Sequence, residues 1–416
     1  MKKKALILIS LLFVLSIFLR FHQLDERSHF AWDEVNNAWA AKNIIVEHEY
    51  PLVGFQAKLN SGIYIGPLYY YLISVFYFLT DLDPIASGIF AGITSIFTFF
   101  TIFFITKKLF SLNVAFIMTF FNTVSFYSIT FDRIQGPINF VPAISLIIFY
   151  SLYKVMTGNP KFFLLFIVAF GFSLHLHVAA IYFPIITLFC LPFFPWTKIL
   201  LKYIILGIPI FLFFIVPSII AFLQNSGYAS AAIGYSSSNF HGLHLIRVMQ
   251  LANDALIQFE SYFNYSVFKH LKFILIPLFM FFFLYKNISR EKLLFCYLIV
   301  FWFIVPWLVL STYSGEISDY YFATNRFIAL LIMAYLLSRI FELKIIFAKV
   351  AVVGFLIFYM AFNINRFLLS KDGNLQDSRK KVIEAIGKAR EIGFHEGSPE
   401  SYLYYYYMRK KGNEVY

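Results

Sequence analysis

From Pro84 to Asn253 this chain contains one acidic side chain, Asp132, and that scarcity of charge is its most restrictive feature. Over all 416 residues, 60% are hydrophobic and 13% are charged. A soluble domain has about a quarter of its residues charged, because its surface faces water. The composition therefore predicts an all-α polytopic membrane protein.

Apolar runs long enough to cross a hydrocarbon core of about 30 Å divide the chain into eleven predicted spans. A twelfth run, residues 66–80, corresponds to only about 22 Å of helix, so the sequence does not decide whether it crosses the membrane. The predicted fold is a bundle of about 11 to 13 transmembrane helices. The eleven runs lie near residues 5–21, 85–106, 113–130, 137–153, 162–178, 180–196, 203–223, 271–286, 293–312, 324–341 and 345–367.

Basic clusters between these runs predict the orientation, because cytoplasmic loops collect lysine and arginine. The formal charge of +12 is thus a topology signal, and no basic soluble face indicates nucleic acid. With Lys2–Lys4 in the cytoplasm and the first run retained as a helix, three polar segments become external: residues 22–65, 224–270 and the tail, 369–416. Residues 1–368 then form the transmembrane domain, with the tail as a short external segment.

The tail is too short for a core of its own, so we expect it to lie on the outer surface of the bundle. Its apolar positions predict one helix that begins after Asp377 or Ser378 and ends at Gly393.

Few motifs for cofactor chemistry occur in the sequence. Cys190 and Cys296 lie inside apolar runs, which supports neither a disulfide framework nor a thiolate metal site. Nucleotide-binding glycine patterns and His-Glu-x-x-His are absent from the sequence. The sequence therefore assigns no cofactor, and a divalent metal is possible but not indicated.

The first external loop carries Trp32-Asp33-Glu34, the start of a predicted interfacial helix with Trp32 and Trp39 as anchors. Asp33 could be an N-terminal carboxylate that favours the helix dipole. It could equally be a general base held above the bilayer, where partial desolvation makes a carboxylate more basic. The local sequence does not decide between the two.

Charged and histidine side chains also occur at predicted outer helix ends. Asp132 and Arg133 form either a structural pair or, through Arg133, an anion site. His175 and His177 point about 200° apart on a regular helix, so they cannot chelate one metal. A single histidine that bonds to a phosphate or carboxylate, and a purely structural role, are the alternatives that stay open.

Arg326 lies one turn inside a late helix and needs a partner. Glu316, Asp319 and a bound phosphate are the candidates, and the phosphate is slightly preferred.

In order and spacing these motifs resemble the GT-C class of membrane glycosyltransferases, and most closely glycosyltransferase family 39. The resemblance rests on Trp32-Asp33-Glu34, Gly66 to Tyr71, Ser125 to Arg133, His175 to His177 and Tyr321 to Arg326. It implies a GT-C bundle, an acceptor-activating Asp33 with Glu34 as the adjacent catalytic acid, and a polyprenyl-phosphate sugar donor. The absence of a Trp-Trp-Asp motif argues against the oligosaccharyltransferase branch.

The resulting hypothesis is inverting transfer of one sugar to a lipid, glycan or protein acceptor at the external face. A glycosyl phosphate leaves as a stabilised anion, so one base and one or two cations suffice. A secondary transporter or lipid flippase is the alternative. The predicted phosphate ligands are Arg133, His175 and Arg326, and the predicted pocket residues are Tyr69, Asp132, His177, Tyr320 and Tyr321.

Overall fold

The computed structural model describes residues 3–58, 60–263, 266–285, 287–371, 373–388 and 397–412. In this part of the chain the regular structure is helical, and β-pairing is limited to two isolated bridges. The α-helices are Lys3–Phe21 (α1), Leu24–Arg27 (α2), Trp32–Lys42 (α3), Leu68–Leu79 (α4), Ile85–Leu109 (α5), Leu112–Val124 (α6), Phe126–Arg133 (α7), Val141–Met156 (α8), Phe162–Ser173 (α9), Tyr182–Cys190 (α10), Lys198–Gln224 (α11), Ser226–Asn239 (α12), Leu245–Asp254 (α13), Ile257–Phe263 (α14), Ser266–Leu284 (α15), Arg290–Ser311 (α16), Arg326–Phe341 (α17), Ile346–Leu369 (α18), Leu375–Gly387 (α19) and Pro399–Lys410 (α20).

The prediction of an integral membrane protein made of helices is confirmed. Among the described residues, seven helical segments are long and apolar enough to cross a membrane, and the bent pair α6 and α7 makes an eighth. Shorter apolar helices occur at α4, α9, α15 and the segment Val178–Phe193 that contains α10. Each of the eleven predicted runs falls on one of these elements.

Helix α17 lies at the centre of the bundle and is almost wholly buried, with neighbours that include α6, α8, α15 and α18. Ala329, Ala334 and Ser338 are small residues that allow close approach of the surrounding helices. In contrast, α11 and α18 expose most of their apolar side chains. Those outward faces are suited to lipid.

A bend of 63° separates α6 from α7. Ser125 between them has an extended backbone, and the amide of Phe126 donates to Asn363 Oδ1 at 2.9 Å. Because of this bend, α7 turns back into the bundle and its polar residues Asp132 and Arg133 are buried.

Both ends of α4 lie at the end of the bundle that carries α3, which we call the α3 end. The amide of Leu68 donates to His175 Nδ1, while Asp83, just beyond α4, contacts Arg379 and Tyr406 of the tail. At 12 residues, about 18 Å, this helix is also shorter than a hydrocarbon core. The ambiguous run 66–80 thus forms a short apolar helix that packs against α3.

The tail forms α19 and α20, which pack on α2 and α3 respectively. Helix α19 begins earlier than predicted, with Asn374 at its N-cap position in place of Asp377 or Ser378. Gly393 lies outside the described residues. Trp39, predicted as a membrane anchor, instead packs on Tyr402 and Tyr405 of α20, while Trp32 stays exposed.

Candidate active site

Asp33 lies in the first turn of α3, and its neighbour Glu34 organises that turn. One Glu34 carboxylate oxygen accepts the Ala31 amide at 3.1 Å, and the other lies 3.1 Å from His29 Nδ1. Glu34 is 1% exposed, whereas the Asp33 side chain remains open to a cavity. The geometry therefore gives the two adjacent acids different tasks.

The cavity beside Asp33, here called the acidic cavity, has a volume of about 470 Å³. Its described lining contains two carboxylates and no lysine or arginine. The polar lining residues are Asp33, Gln56, Tyr127, Asn139, His177, Asp319 and Tyr320. Hydroxyl groups of a neutral substrate could therefore bind here.

The acidity of Asp33 is lowered by its surroundings. Burial raises the pKa of Asp33 above its usual range, and the negative charge of Glu34 raises this pKa further. The charge of His29 lowers the pKa of Asp33. A carboxylate with a raised pKa is a better proton acceptor, which is the property that a general base requires.

A second cavity of about 520 Å³, the apolar cavity, adjoins the first. The two share Ala57, Ile65, His177 and Val178 as lining residues. Among the described lining residues, Lys58 is the cation of the apolar cavity, with its Nζ 3.4 Å from the carbonyl oxygen of Glu316 and above the Tyr321 ring. A long apolar ligand with an anionic end would match this lining.

His177 lies on the boundary between the two cavities. Its Nδ1 accepts the Ala179 amide at 3.1 Å, so in the neutral ring the proton is on Nε2. The rings of Tyr320 and Tyr321 contact the imidazole edge to face. This arrangement brings three of the predicted pocket residues to one place.

His175 points away from both cavities. Its Nδ1 accepts the Leu68 amide at 3.2 Å, and a Cβ at Gly66 would lie 2.0 Å from the same nitrogen. Glycine at position 66 therefore allows the imidazole to pack directly against the turn before α4. The structure does not bring His175 to the cavity that contains Asp33.

Arg326 is buried in a cluster that joins three helices. Its guanidinium donates to Ser128 and Tyr262 and lies 3.6 Å from Asp132 Oδ1. Asp132 also pairs with Arg20 of α1 at 2.8 Å. The protein partner of Arg326 is thus Asp132, and neither Glu316 nor Asp319 forms an ion pair with it among the described residues.

Arg326 nevertheless lies close to the acidic cavity. Its guanidinium carbon is 4.3 Å from the Phe131 ring centroid and 5.1 Å from that of Tyr127, and both rings line that cavity. Its Nη1 is buried without a hydrogen-bond partner among the described residues.

Arg133 is directed to the end of α1 and away from Asp132. Its Nη1 donates to the carbonyl oxygens of Arg20 at 2.7 Å and Leu19 at 3.3 Å. Arginine near a helix C-terminus satisfies carbonyl groups that lack intrahelical partners. Arg133 does not line either cavity.

Tyr69 supports α3 from behind and does not line either cavity. The Gln135 amide donates to its hydroxyl at 2.5 Å and accepts from Asn37 of α3 at 3.3 Å. This buried chain of hydrogen bonds links α3 to α4.

Several residues of the site were not anticipated from sequence. Lys58 and Gln56 line the cavities from an irregular loop without a motif. For Arg20 the sequence did offer one indication, because an arginine at the end of an apolar run is costly unless it is paired. Within the described residues, no group of three or more His, Cys, Asp or Glu side chains could hold a metal ion.

This helical architecture is the fold of the GT-C class of integral-membrane glycosyltransferases, in agreement with the sequence resemblance. Neither a protein-family model nor a curated protein matches the chain. Several solved structures are similar to the chain in fold.

ArnT from Cupriavidus metallidurans bound to undecaprenyl phosphate is 11% identical and has a TM-score of 0.58 over 96% of this chain and 75% of its own. The apo oligosaccharyltransferase of Archaeoglobus fulgidus is 12% identical, with a TM-score of 0.56 over 97% of this chain and 60% of its own. At such identities the likeness concerns the fold, and it includes the oligosaccharyltransferase branch that the motifs argued against.

Proposed function

We propose that this protein is a membrane glycosyltransferase that transfers one sugar from a polyprenyl-phosphate donor to an acceptor at the external face, with inversion. The observation that carries the proposal is the position of Asp33, whose carboxylate opens into the acidic cavity beside an apolar cavity with a cation. The GT-C fold supports the reaction class.

The apolar cavity suits the isoprenoid part of such a donor. Lys58 and the protonated Nε2 of His177 would bind the phosphate where the two cavities meet, and the sugar would extend towards Asp33. ArnT, which shares the fold, was solved with undecaprenyl phosphate. The acceptor class, whether lipid, glycan or protein, stays open.

The chemistry requires one base. Asp33 accepts the proton of the acceptor hydroxyl. At the same time the hydroxyl oxygen of the acceptor attacks the anomeric carbon of the donor sugar on the face opposite the phosphate. The bond from that carbon to the phosphate oxygen breaks, and the phosphate leaves as an anion stabilised by Lys58 and His177. A single displacement of this kind inverts the anomeric configuration.

In this proposal the remaining candidates act through position. Glu34 fixes the first turn of α3, and Tyr69 supports α3 from behind. His175 holds the Gly66 turn, while Arg133 caps α1.

Arg326 keeps a role near the donor in this proposal. It supports the aromatic wall of the acidic cavity, and its unpaired Nη1 could reach a donor phosphate if Phe131 moves. Asp132 balances its charge.

The proposal is tested with the full chain in lipid nanodiscs and a panel of radiolabelled polyprenyl-phosphate sugars, by measuring release of polyprenyl phosphate and the labelled product. Asp33→Asn should lower kcat by about 10²-fold or more, because it removes the base. Lys58→Ala should weaken binding of undecaprenyl phosphate by about tenfold, because it removes one charge-assisted contact.

Asp377→Asn, at an exposed position of α19, is the matched control and should behave as the wild type. Full turnover in Asp33→Asn would exclude the assignment of the base. Counterflow of a labelled donor across proteoliposomes without any covalent product would favour a flippase instead.

A further inference from the structure

Asn374, at the start of the tail, contacts the segment that leads into α3. Its side chain forms a pair of hydrogen bonds with the backbone of Phe30, accepting the amide at 2.7 Å and donating to the carbonyl at 2.9 Å. The amides of Asn374 and Leu375 both donate to the carbonyl oxygen of Ser28, at 3.1 and 3.2 Å. Four hydrogen bonds from two residues thus determine the path of residues 28–30, just before Asp33.

The tail is itself attached to the rest of the α3 end by charged groups. Arg379 of α19 pairs with Asp25 of α2 at 3.1 Å and with Asp83 beyond α4 at 2.5 Å. Tyr406 donates to the second oxygen of Asp83 at 2.7 Å. These contacts fix Asn374 relative to two separate elements.

Aromatic packing covers the back of α3. Tyr402 is fully buried, with its ring edge to face against Phe30 and Trp39 and its hydroxyl donating to the Leu82 carbonyl at 3.0 Å. Because Phe30 precedes α3 and Trp39 lies within it, one tyrosine contacts both the helix that carries Asp33 and the segment that leads into it.

The tail does not line the proposed reaction site. The described residues around the acidic and apolar cavities extend no further along the chain than Tyr321. The contacts of the tail with residues 28–30 and with α3 are therefore its most direct connection to Asp33.

We propose that Asn374 is a positioning residue, and that the tail sets the location of the Asp33 carboxylate through the backbone of residues 28–30. The proposal rests on the proposed function, in which Asp33 is the base. Without the Asn374 side chain, the segment before α3 would lose two hydrogen bonds to the backbone of Phe30, and the carboxylate could move relative to the acceptor. A displacement of about 1 Å can reduce a catalysed rate about 10²-fold.

The test compares Asn374→Ala and Asn374→Asp with the wild type, with Lys380→Ala on the exposed face of α19 as the control. Hydrogen exchange of the amides in residues 28–42 is measured by mass spectrometry in nanodiscs, together with binding of undecaprenyl phosphate and kcat for the donor that the wild type consumes.

In Asn374→Ala, exchange in residues 28–42 should become at least about fivefold faster, because two hydrogen bonds are lost. The kcat should fall about ten- to a hundredfold while the Kd for undecaprenyl phosphate stays within about twofold. Asn374→Asp keeps the acceptor for the Phe30 amide and should show a smaller change in both the exchange rate and kcat. Lys380→Ala should match the wild type.

Unchanged exchange in Asn374→Ala would overturn the inference, as would faster exchange with an unchanged kcat. An equal loss of donor binding and kcat with a lowered melting temperature would also overturn it, because that pattern is general destabilisation. The exchange measurement does not depend on activity. Failure of the proposed function would appear separately, as full turnover in Asp33→Asn.

Discussion

At the scale of single residues, the ionisation of Asp33 depends on two neighbours with opposite effects. Burial and Glu34 raise the pKa of Asp33, and His29 lowers it. His29 is suited to this role because its hydrogen bond to Glu34 raises its own pKa, so it carries a positive charge where Asp33 titrates. The balance between these neighbours should be visible in the pH dependence of the reaction.

We expect kcat to fall as the pH drops through the pKa of Asp33, because only the carboxylate can accept a proton. Since that pKa is raised, the acid limb should lie above the value of about 3.9 for an exposed aspartate. His29→Ala removes the neighbour that lowers this pKa, so its acid limb should move to higher pH. The measurement is kcat against pH for both proteins.

His241→Ala, at an exposed position in the 224–270 segment, is the control and should leave the limb in place. A limb that stays fixed or moves to lower pH in His29→Ala would contradict this account of Asp33.

The sequence pointed to Asp33 because it begins a predicted interfacial helix and matches the resemblance to glycosyltransferase family 39, although its role as a base stays a proposal. It assigned His175 to the donor phosphate and His177 to the pocket, whereas the structure places only His177 beside the cavities. Two side chains at i and i+2 point apart, and only the surrounding packing shows that His177 borders the cavities. Arg133 was unpredictable for the same reason, since its partners are carbonyl oxygens more than 100 residues away.

At the scale of secondary-structure elements, Asp132 on α7 joins α1 to α17 by pairing with Arg20 and Arg326. All three side chains are buried. Arg20 and Arg326 also donate to neutral carbonyl and hydroxyl oxygens, but Asp132 is the carboxylate that both guanidinium groups share. Loss of Asp132 should therefore lower stability more than loss of one arginine.

Asp132→Ala should lower the free energy of unfolding by about 3–5 kcal/mol, because it leaves two buried cations without their carboxylate. Arg20→Ala should cost less, since Asp132 keeps Arg326 at 3.6 Å. Denaturant titration in mixed micelles measures both.

Asp81→Ala removes the exposed pair with Arg409 and should cost at most about 1 kcal/mol. Equal losses for Asp132→Ala and Asp81→Ala would show that the buried cluster does not hold the three helices together.

Apolar run lengths predicted the helices well because a helix satisfies its own backbone groups inside a membrane. They did not predict the bend between α6 and α7. That bend depends on Asn363 accepting the Phe126 amide from another helix. The start of α19 was misplaced for a similar reason, since the side chain of Asn374 is used by Phe30.

At the scale of the whole molecule, α3 and the tail lie on the same side of the bundle because they touch. The membrane must therefore be crossed an even number of times between them, which the predicted spans from α5 to α18 satisfy without α4. The basic clusters further predict that this side is external, which a labelling experiment can test.

Single cysteines that replace Glu49 or Lys380 should react with a membrane-impermeant maleimide on intact cells. Cysteines at Lys108 and Arg290 should react only after permeabilisation, because they belong to the basic clusters. All four positions are exposed, and the native Cys190 and Cys296 are buried, so background labelling should be low.

Opposite sides for Glu49 and Lys380 would contradict the structure itself. If Lys108 and Arg290 were labelled on intact cells, and Glu49 and Lys380 only after permeabilisation, the result would contradict only the orientation drawn from the basic clusters.

The contact between Asn374 and Phe30 spans 344 residues of sequence. Chains are synthesised from the N-terminus, so residues 28–30 emerge long before the residue that will fix them. During membrane insertion the segment that leads into α3 would therefore lack its contacts to Asn374 until the residues after α18 have been made. If Asp33 is the base, as we propose, a partly made bundle would contain both cavities before the contacts that position Asp33 have formed, and the reaction would have to wait for the complete fold.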